Sequence, residues 1–384
     1  MSCQILERVL ERKAFVEHCL SGCVTAETAA ASPGEYFAQV ASIVAQKGIQ
    51  IIQDKVYGTM AVKEHVLAAR AEAYRKAGLD ASLPVTWLEG TPLADTGFCG
   101  LQIWGIAPKA NGGTTVATTD GQGGSAPGRL WTGPGYRLLY LPAVFGDLLD
   151  GSKPATVTAQ ASSMFENAVH ALRSAGFNYS QVIRTWIYLP RILDWYGEFN
   201  RVRTELYAAA GFARDAGKSP FPASPGIQAR SIPQGECGMD VLALDTSDPG
   251  KAKAVPILTT PRQGPAFSYG SAFSRGMSLT VEDRKTVFLS GTASIDSRGN
   301  TLYPGNAEMQ CLETLVDVAA LLEGVGGSLR HIAMATLFCK TRDVFAVYRN
   351  AMRWLQAPEI PTVYVQADVC RPDLLVEMEA VAFV

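Results

Sequence analysis

The sequence predicts an α+β protein built from three copies of one β-β-α-β-α-β-β unit. Each third of the chain holds apolar runs typical of strands and two segments with apolar residues at helical spacing. In each third the first helical segment stops at a glycine before a β-rich run, at Gly48, Gly176 and Gly324. Glycine stops at matching places in all three thirds predict an internal triplication.

The C-terminal third has the clearest pattern. Residues 286–295 alternate and end in small residues, as a half-buried strand does. The predicted elements that follow are a helix over 307–323, a strand over 331–339, a helix over 344–356, and strands over 361–369 and 374–384.

The first two thirds repeat this order. In the middle third we predict strands at 137–141, 181–189, 226–230 and 238–244, with helices at 159–175 and 195–210. In the first third we predict strands at 19–24, 49–57, 85–88 and 101–106, with helices at 36–47 and 62–77.

Two connecting stretches divide the chain. Residues 109–136 are rich in Gly, Thr, Ser and Pro, which is typical of a linker or surface loop. A second connection, marked by Pro and Lys, covers 248–265. The predicted repeats are therefore 1–108, 137–247 and 266–384.

Composition narrows the class of protein. Apolar residues make up 47% and charged residues 18%, so a large core is expected and global disorder is excluded. The net charge of −2 disfavours nucleic acid as a partner. No apolar run is long enough for a membrane span, the N-terminus resembles no signal peptide, and the cysteines form no CxxC pair. We therefore expect a cytoplasmic protein with reduced thiols.

The last 120 residues resemble the Rid/YjgF superfamily. The resemblance rests on Ser290-Gly291 in the first strand, Gln310 in the helix and the closing run Leu375-Val376-Glu377-Met378-Glu379-Ala380-Val381-Ala382. Members of that superfamily are trimers with ligand clefts between subunits. The resemblance implies that three Rid/YjgF-like (chorismate-mutase-like) repeats form an intramolecular pseudo-trimer, so that this chain is a monomer or a weak dimer.

Residues 137–384 resemble, more narrowly, the chorismatases. The segments that carry the resemblance are 186–190 (WIYLP), 196–203 (YGEFNRVR), 274–275 (SR), 290–295 (SGTASI) and 367–377 (ADVCRPDLLVE). Chorismatases use a fused Rid-like fold to remove the enolpyruvyl group of chorismate, giving pyruvate plus a hydroxybenzoate or a dihydroxycyclohexadiene acid. The resemblance therefore implies a hydrolase or lyase whose partner is a small cyclic carboxylic acid.

Glu377 is the candidate general acid. Its neighbours Leu375, Val376 and Met378 are apolar, so burial should raise the pKa of its carboxyl group toward neutrality. A carboxyl group of this kind could protonate the methylene carbon of an enol ether. We equate Glu377 with Asp240 in the second repeat and with Gln102 in the first, whose cleft is then expected to be inert. The alternative is that Glu377 only pairs with an arginine.

Further candidates lie inside the same motifs. A dianionic substrate favours arginine, whose guanidinium group matches planar carboxylates, and a tyrosine can supply a hydroxyl group and a ring wall. The predicted substrate-binding residues are Arg184, Tyr188, Tyr196, Arg203, Tyr269, Arg275, Ala293 and Arg371. Cys370 is a second catalytic candidate, because the resemblance associates a cysteine here with hydroxybenzoate formation; its alternative is a buried thiol at a strand end.

Other functions stay open. A Rid-type imine or enamine hydrolase would need an arginine ahead of the penultimate strand, where residues 359–363 (EIPTV) have none. A metabolite-binding protein without activity, or a biosynthetic enzyme that uses the fold for another reaction, fits the same pattern. The four histidines are not at metal-ligand spacing, and Gly121-Gln122-Gly123-Gly124 is a loop rather than a dinucleotide fingerprint, so no metal or cofactor is expected.

Overall fold

The structure, a computed structural model, describes residues 4–94, 96–121, 126–148, 151–212, 220–231 and 235–384. Its strands form three mixed sheets of five, six and six strands. Within these residues, six long helices cover the sheets, two for each sheet. The predicted fold class and repeat order are confirmed.

The first repeat is one complete unit with the sheet order β1-β2-β5-β3-β4. Ser32 caps its first helix, Pro33 opens that helix, and Gly48 ends it with a left-handed φ of 63°. Its elements are β1 (Ile5–Glu11), β2 (Phe15–Cys23), α1 (Pro33–Lys47), β3 (Gln50–Gly58), α2 (Lys63–Lys76), β4 (Thr86–Glu89) and β5 (Phe98–Pro108).

The second repeat has the same order plus one added strand. Residues 115–118 and 129–133, which we expected in a linker, form an antiparallel pair that joins the second sheet. The β-branched residues among the glycines of this stretch explain the pairing. The elements are β6 (Thr115–Thr118), β7 (Arg129–Gly133), β8 (Tyr136–Phe145), α3 (Val157–Ser174), β9 (Val182–Tyr188), α4 (Ile192–Ala209), β10 (Gly226–Ile227) and β11 (Gly238–Thr246).

The third repeat also gains a strand from its expected linker, since residues 252–257 pair with the following strand. Its sheet order is β12-β13-β14-β17-β15-β16. The elements are β12 (Ala252–Ile257), β13 (Gly276–Val281), β14 (Arg284–Ala293), α5 (Ala307–Glu323), β15 (Ile332–Cys339), α6 (Arg342–Trp354), β16 (Thr362–Gln366) and β17 (Val376–Phe383).

Each repeat buries one face of its sheet under its own helices, which gives three separate cores. The opposite faces meet one another in a fourth core that draws residues from all three sheets. The four cores account for strands that are buried on both faces, such as β9 and β15.

Backbone hydrogen bonds close the three repeats into a ring. Glu89 N donates to Arg230 O (2.7 Å) between the first and second repeats, and Gln228 N donates to Asp368 O (3.1 Å) between the second and third. Thr91 and Gln366 exchange two bonds between the first and third repeats. The contacts that join the repeats therefore lie within one chain.

Candidate active site

A cavity lies between the second and third repeats. It encloses about 490 Å³, including the part that is open to solvent. The loop before β10 and one turn of α4 form its second-repeat side, while β14, β17 and the segments ahead of β13 and β17 form the rest. Seven of the ten predicted site residues line it: Tyr196, Tyr269, Arg275, Ala293, Cys370, Arg371 and Glu377.

Glu377 is at the start of β17, opposite Ala293 on β14 and Phe338 on β15. Only 4% of the residue is exposed. Burial raises the pKa of its carboxyl group to about 8; the nearby Glu379 adds to this rise and Arg371 opposes it. The expectation that Glu377 is a buried carboxyl group with a pKa near neutrality therefore agrees with its surroundings.

Gly291 makes room for this carboxyl group. A Cβ atom at position 291 would lie 2.0 Å from Glu377 Oε1 and 2.7 Å from Cδ. Any side chain at position 291 would have to displace the carboxyl group from the place it now occupies.

Two arginines face the same cavity. Arg275 donates from Nε and Nη2 to Gly264 O at 3.1 and 2.9 Å, and Arg371 Nη1 donates to Gly299 O. The guanidinium carbons lie 5.3 Å (Arg275) and 5.6 Å (Arg371) from the ring centroid of Tyr269. Carbonyl bonds and a shared aromatic ring thus hold two positive charges beside Glu377.

Cys370 also lines the cavity, as a neutral thiol. Burial raises the pKa of its thiol group to about 12, and the neighbouring Glu377 raises it further. At neutral pH such a group is not a thiolate nucleophile. Tyr196, whose hydroxyl pKa is raised by burial, forms the opposite wall and stacks on Phe199.

Three predicted site residues do not line this cavity. Arg184 lies in the central core, where its Nη2 is 3.4 Å from Glu379 Oε2. Tyr188 is also central and donates to Asp240 Oδ2 at 2.8 Å. Arg203 is fully buried 5.7 Å from the ring of Phe273, which itself lines the cavity. Within the described residues its Nε and Nη1 have no hydrogen-bond partner.

The strand register corrects one equivalence. Glu379 pairs with Thr336 on β15, as Asp240 pairs with Trp186 on β9 and Gln102 with Lys55 on β3. Asp240 and Gln102 therefore correspond to Glu379 rather than to Glu377, and equating them with Glu377 was wrong by two residues.

The true equivalents of Glu377 are both glycines. Glu377 pairs with Phe338, whereas Gly238 pairs with Tyr188 and Gly100 with Tyr57. Of the three equivalent positions, only the one between the second and third repeats holds a carboxyl group.

A small residue on the neighbouring repeat further distinguishes this cleft. Gly226 on β10 lines the cavity, and the equivalent positions on β4 and β16 hold Trp87 and Tyr364. At the equivalent positions of the other two repeats the large rings pack within their own repeats, Trp87 in the core of the first repeat and Tyr364 against Phe345 and Tyr348.

Some residues of the cavity were not predicted. Phe273, Ile295 and Leu374 add apolar walls, and Ser224 and Ser271 add hydroxyl groups. Their side chains carry no distinctive chemistry, and the segments that contribute them are far apart in sequence. Their pattern offered no signal that could have identified them.

Comparisons with known proteins agree with this architecture. The family model described as Endoribonuclease L-PSP matches residues 271–384. A solved chorismatase structure matches 97% of this chain and 100% of its own, with a TM-score of 0.62 and 16% identity. The resemblance to the Rid/YjgF superfamily is confirmed.

Sequence relatives point the same way. The chain is 26% identical to a 3-hydroxybenzoate synthase of Streptomyces hygroscopicus over 321 residues, which is 76% of this chain and 87% of the relative. It is also 26% identical to a RutC family protein of Pyrococcus horikoshii over 107 residues, 28% of this chain and 85% of that protein. The resemblance to chorismatase-type proteins is thus found in both sequence and fold.

Neither a membrane-spanning helix nor a metal-ligating cluster is found in the part of the chain that the structure describes. There, no helix has both the length and the apolar character that crossing a membrane requires. In the same residues, no three His, Cys, Asp or Glu side chains are grouped as a metal ion would need.

Proposed function

We propose that the chain removes the enolpyruvyl group from chorismate or a related cyclic acid. The products are pyruvate plus a hydroxybenzoate or a dihydroxycyclohexadiene acid, and Glu377 is the general acid. The observation that carries the proposal is a buried carboxyl group with a raised pKa that faces a cavity beside two arginines.

The protonation state of Glu377 suits this task. With a pKa of about 8, the carboxyl group is protonated over unprotonated by about ten to one at pH 7. An ordinary glutamate, with a pKa near 4.3, would hold almost no proton there. Burial therefore supplies a carboxylic acid at a pH where most carboxyl groups are ionised.

The charges around the cavity suit a dianion. Chorismate carries one carboxylate on its ring and one on its enolpyruvyl group. Arg275 and Arg371 offer planar donors that match carboxylate geometry, and both lie at the wall that holds Glu377. Tyr196 and Tyr269 supply ring faces for a flat cyclic substrate.

The proposed chemistry begins with one proton transfer. Glu377 gives its proton to the methylene carbon of the enol ether, and the positive charge on the adjacent carbon is stabilised by the ether oxygen. Water adds at that carbon and returns a proton to the Glu377 carboxylate, and the resulting hemiketal collapses to pyruvate and the ring alcohol. Hydrolysis to pyruvate and a dihydroxycyclohexadiene acid consumes one water molecule. Conversion to pyruvate and a hydroxybenzoate consumes no water overall.

The names of similar proteins support removal of the enolpyruvyl group over other reactions that enzymes of this fold could catalyse. The sequence relative is named for 3-hydroxybenzoate synthesis, and the solved structure that matches nearly the whole chain is a chorismatase. The retained carboxyl group and arginines support an active enzyme over a binding protein without activity.

The test is to incubate the purified protein with chorismate and to measure pyruvate release, with the ring product identified by chromatography and mass spectrometry. We expect pyruvate and one ring product in equal amounts, with the same rate after treatment with EDTA. A well-folded protein that releases no pyruvate would contradict the proposal.

A further inference from the structure

Glu379 places a second buried carboxyl group next to the proposed proton donor. It follows Glu377 by two residues on β17, so both side chains point to the same face of the sheet. Their Cα atoms are therefore about 6.6 Å apart. The exposed fractions are only 4% for Glu377 and 5% for Glu379.

Arg184 of the second repeat holds Glu379 in place. Its Nη2 lies 3.4 Å from Glu379 Oε2, and its Nη1 donates to Leu289 O at 2.7 Å. The guanidinium also lies 4.8 Å from the ring centroid of Trp186. Removing either partner of such a buried pair would leave the other charge buried alone, which is strongly destabilising.

We propose that Glu379 is a positioning residue for the reaction, whose fixed negative charge favours the protonated form of Glu377. The inference rests on the proposed function for its catalytic meaning. Glu379 is not among the residues that line the cavity beside Glu377. It lies with residues of all three repeats near the centre of the ring. Its effect on the reaction therefore passes through Glu377 and not through contact with the substrate.

Other charged and titratable groups surround the two carboxyl groups. Those that interact with Glu379 from strands of the other repeats are Lys55, Tyr57, Arg184 and Tyr188, and Asp240 lies 3.7 Å from Lys55. Those that face Glu377 across the cavity are Tyr196, Tyr269, Arg275, Cys370 and Arg371.

Of these groups, Glu379 is the acidic one that raises the pKa of Glu377. Arg371 lowers the pKa of Glu377 and so opposes the effect of Glu379. The positive charges that interact with Glu379 itself are those of Lys55 and Arg184. Burial remains the largest cause of the raised pKa of Glu377, with Glu379 second.

The direction of the expected change follows from the role of Glu377. A general acid works only while protonated, so activity declines as pH rises through its pKa. Glu379→Gln removes the repelling charge and leaves the positive charge of Arg184. Ionisation of Glu377 then becomes easier, and the alkaline decline in activity moves to lower pH.

The test titrates Glu377 without substrate, by the infrared absorption of its protonated carboxyl group, with Glu377→Gln used to assign the band. We expect Glu379→Gln to lower the midpoint by about half a unit to one unit. In the pH profile of the rate of pyruvate release from chorismate, the decline at alkaline pH should shift to lower pH by the same amount. Glu379→Asp, which retains the charge, should restore most of the midpoint.

The matched control is Glu17→Gln. Glu17 is a buried partner of Arg12 that accepts a bond from Thr286, and Thr286 pairs with Phe383, six residues along β17 from Glu377. That separation is about 20 Å. We expect a loss of stability but no change in the Glu377 midpoint.

A variant with both Glu379→Gln and Arg184→Gln removes the whole ion pair and avoids an unpaired buried charge, in case the single change prevents folding. It should also titrate at lower pH than the wild type. An unchanged midpoint in either folded variant would overturn the inference. Because the titration needs no chorismate, absence of pyruvate release would count against the proposed function alone.

Discussion

Two glycines and one glutamate define the candidate site at the scale of single residues. Gly291 leaves the space that the Glu377 carboxyl group fills, and Gly226 stands where the other repeats hold Trp87 and Tyr364. Small residues on two repeats thus create a cavity that the carboxyl group of the third repeat can face.

Gly291→Ala tests this packing. The added Cβ atom would lie 2.0 Å from Glu377 Oε1, so the carboxyl group must move. A displacement of about 1 Å in a catalytic group can cost roughly 100-fold in rate. We expect turnover of chorismate to fall by roughly 10- to 100-fold while the fold is kept, as checked by circular dichroism.

The matched control is Gly197→Ala, because a Cβ atom at the exposed Gly197 in α4 would meet no atom within 4 Å. Alanine is a better helix former by roughly 0.5–1 kcal/mol, so this variant should be equally active and no less stable. Normal turnover in Gly291→Ala would show that activity does not depend on the Glu377 carboxyl group occupying the space beside Gly291.

Residue chemistry could be predicted from the sequence only in part. The apolar neighbours of Glu377 correctly predicted its burial, since a continuous apolar run is typical of a strand that is covered on both faces. A shift by two residues leaves the side chain on the same face, so the pattern could not separate Glu377 from Glu379 as the equivalent of Asp240. Only hydrogen-bond register resolves that choice.

At the level of secondary-structure elements, buried charged side chains connect turns and strands both within a repeat and between repeats. Arg12, just after β1, donates to Glu17 on β2 at 2.7 Å and to the carbonyl groups of Val281 and Arg284 in the third repeat. Trp104 donates to the same carboxylate at 2.8 Å. One arginine therefore links the β1–β2 turn to the β13–β14 turn.

Arg12→Met should destabilise the protein strongly. The change leaves the Glu17 carboxylate buried without its cation, which costs about 3–5 kcal/mol in comparable cases. We expect a clear loss of unfolding free energy in a denaturant titration, with turnover per folded molecule unchanged because the cavity is elsewhere.

The exposed Lys13→Met is the control, since its pair with Asp283 at 3.8 Å is solvent-accessible and worth at most about 1 kcal/mol. Equal stability losses in the two variants would show that burial of the Arg12 pair has no special role.

Partners of buried charges lie far apart in the chain and therefore could not be predicted from sequence. Arg184 stands among apolar residues on β9, so its buried charge needs a partner, but that partner, Glu379, is 195 residues away in the sequence. The β6–β7 hairpin was missed for a different reason. Residues 115–118 and 129–133 lie in a stretch rich in the turn-forming residues of a linker, yet they pair with each other as β6 and β7, and β7 pairs with β8.

At the scale of the whole molecule, three repeats close a ring within one chain. Each pair of repeats shares backbone hydrogen bonds, and a common core draws on all three sheets. The surfaces that separate subunits would bury in a trimer are thus already covered.

We therefore expect a monomer, or at most a loose dimer, in solution. Light scattering over a range of protein concentrations should give a mass near 41.1 kDa at low concentration. A stable particle of three times that mass would contradict the intramolecular assembly.

We assign proton donation to Glu377 and a structural role to Asp240. Asp240 accepts bonds from Tyr140, Tyr188 and Thr86 at 2.8–2.9 Å and lies 3.7 Å from Lys55. Removing its charge should therefore lower stability without stopping the chemistry.

The most direct measurement compares turnover of chorismate and melting temperature for Glu377→Gln and Asp240→Asn. We predict that Glu377→Gln loses roughly 10²–10⁴-fold in turnover and keeps its melting temperature. Asp240→Asn should melt earlier but retain near wild-type turnover per folded molecule. Near wild-type turnover in Glu377→Gln, or a larger loss of turnover in Asp240→Asn, would contradict the account.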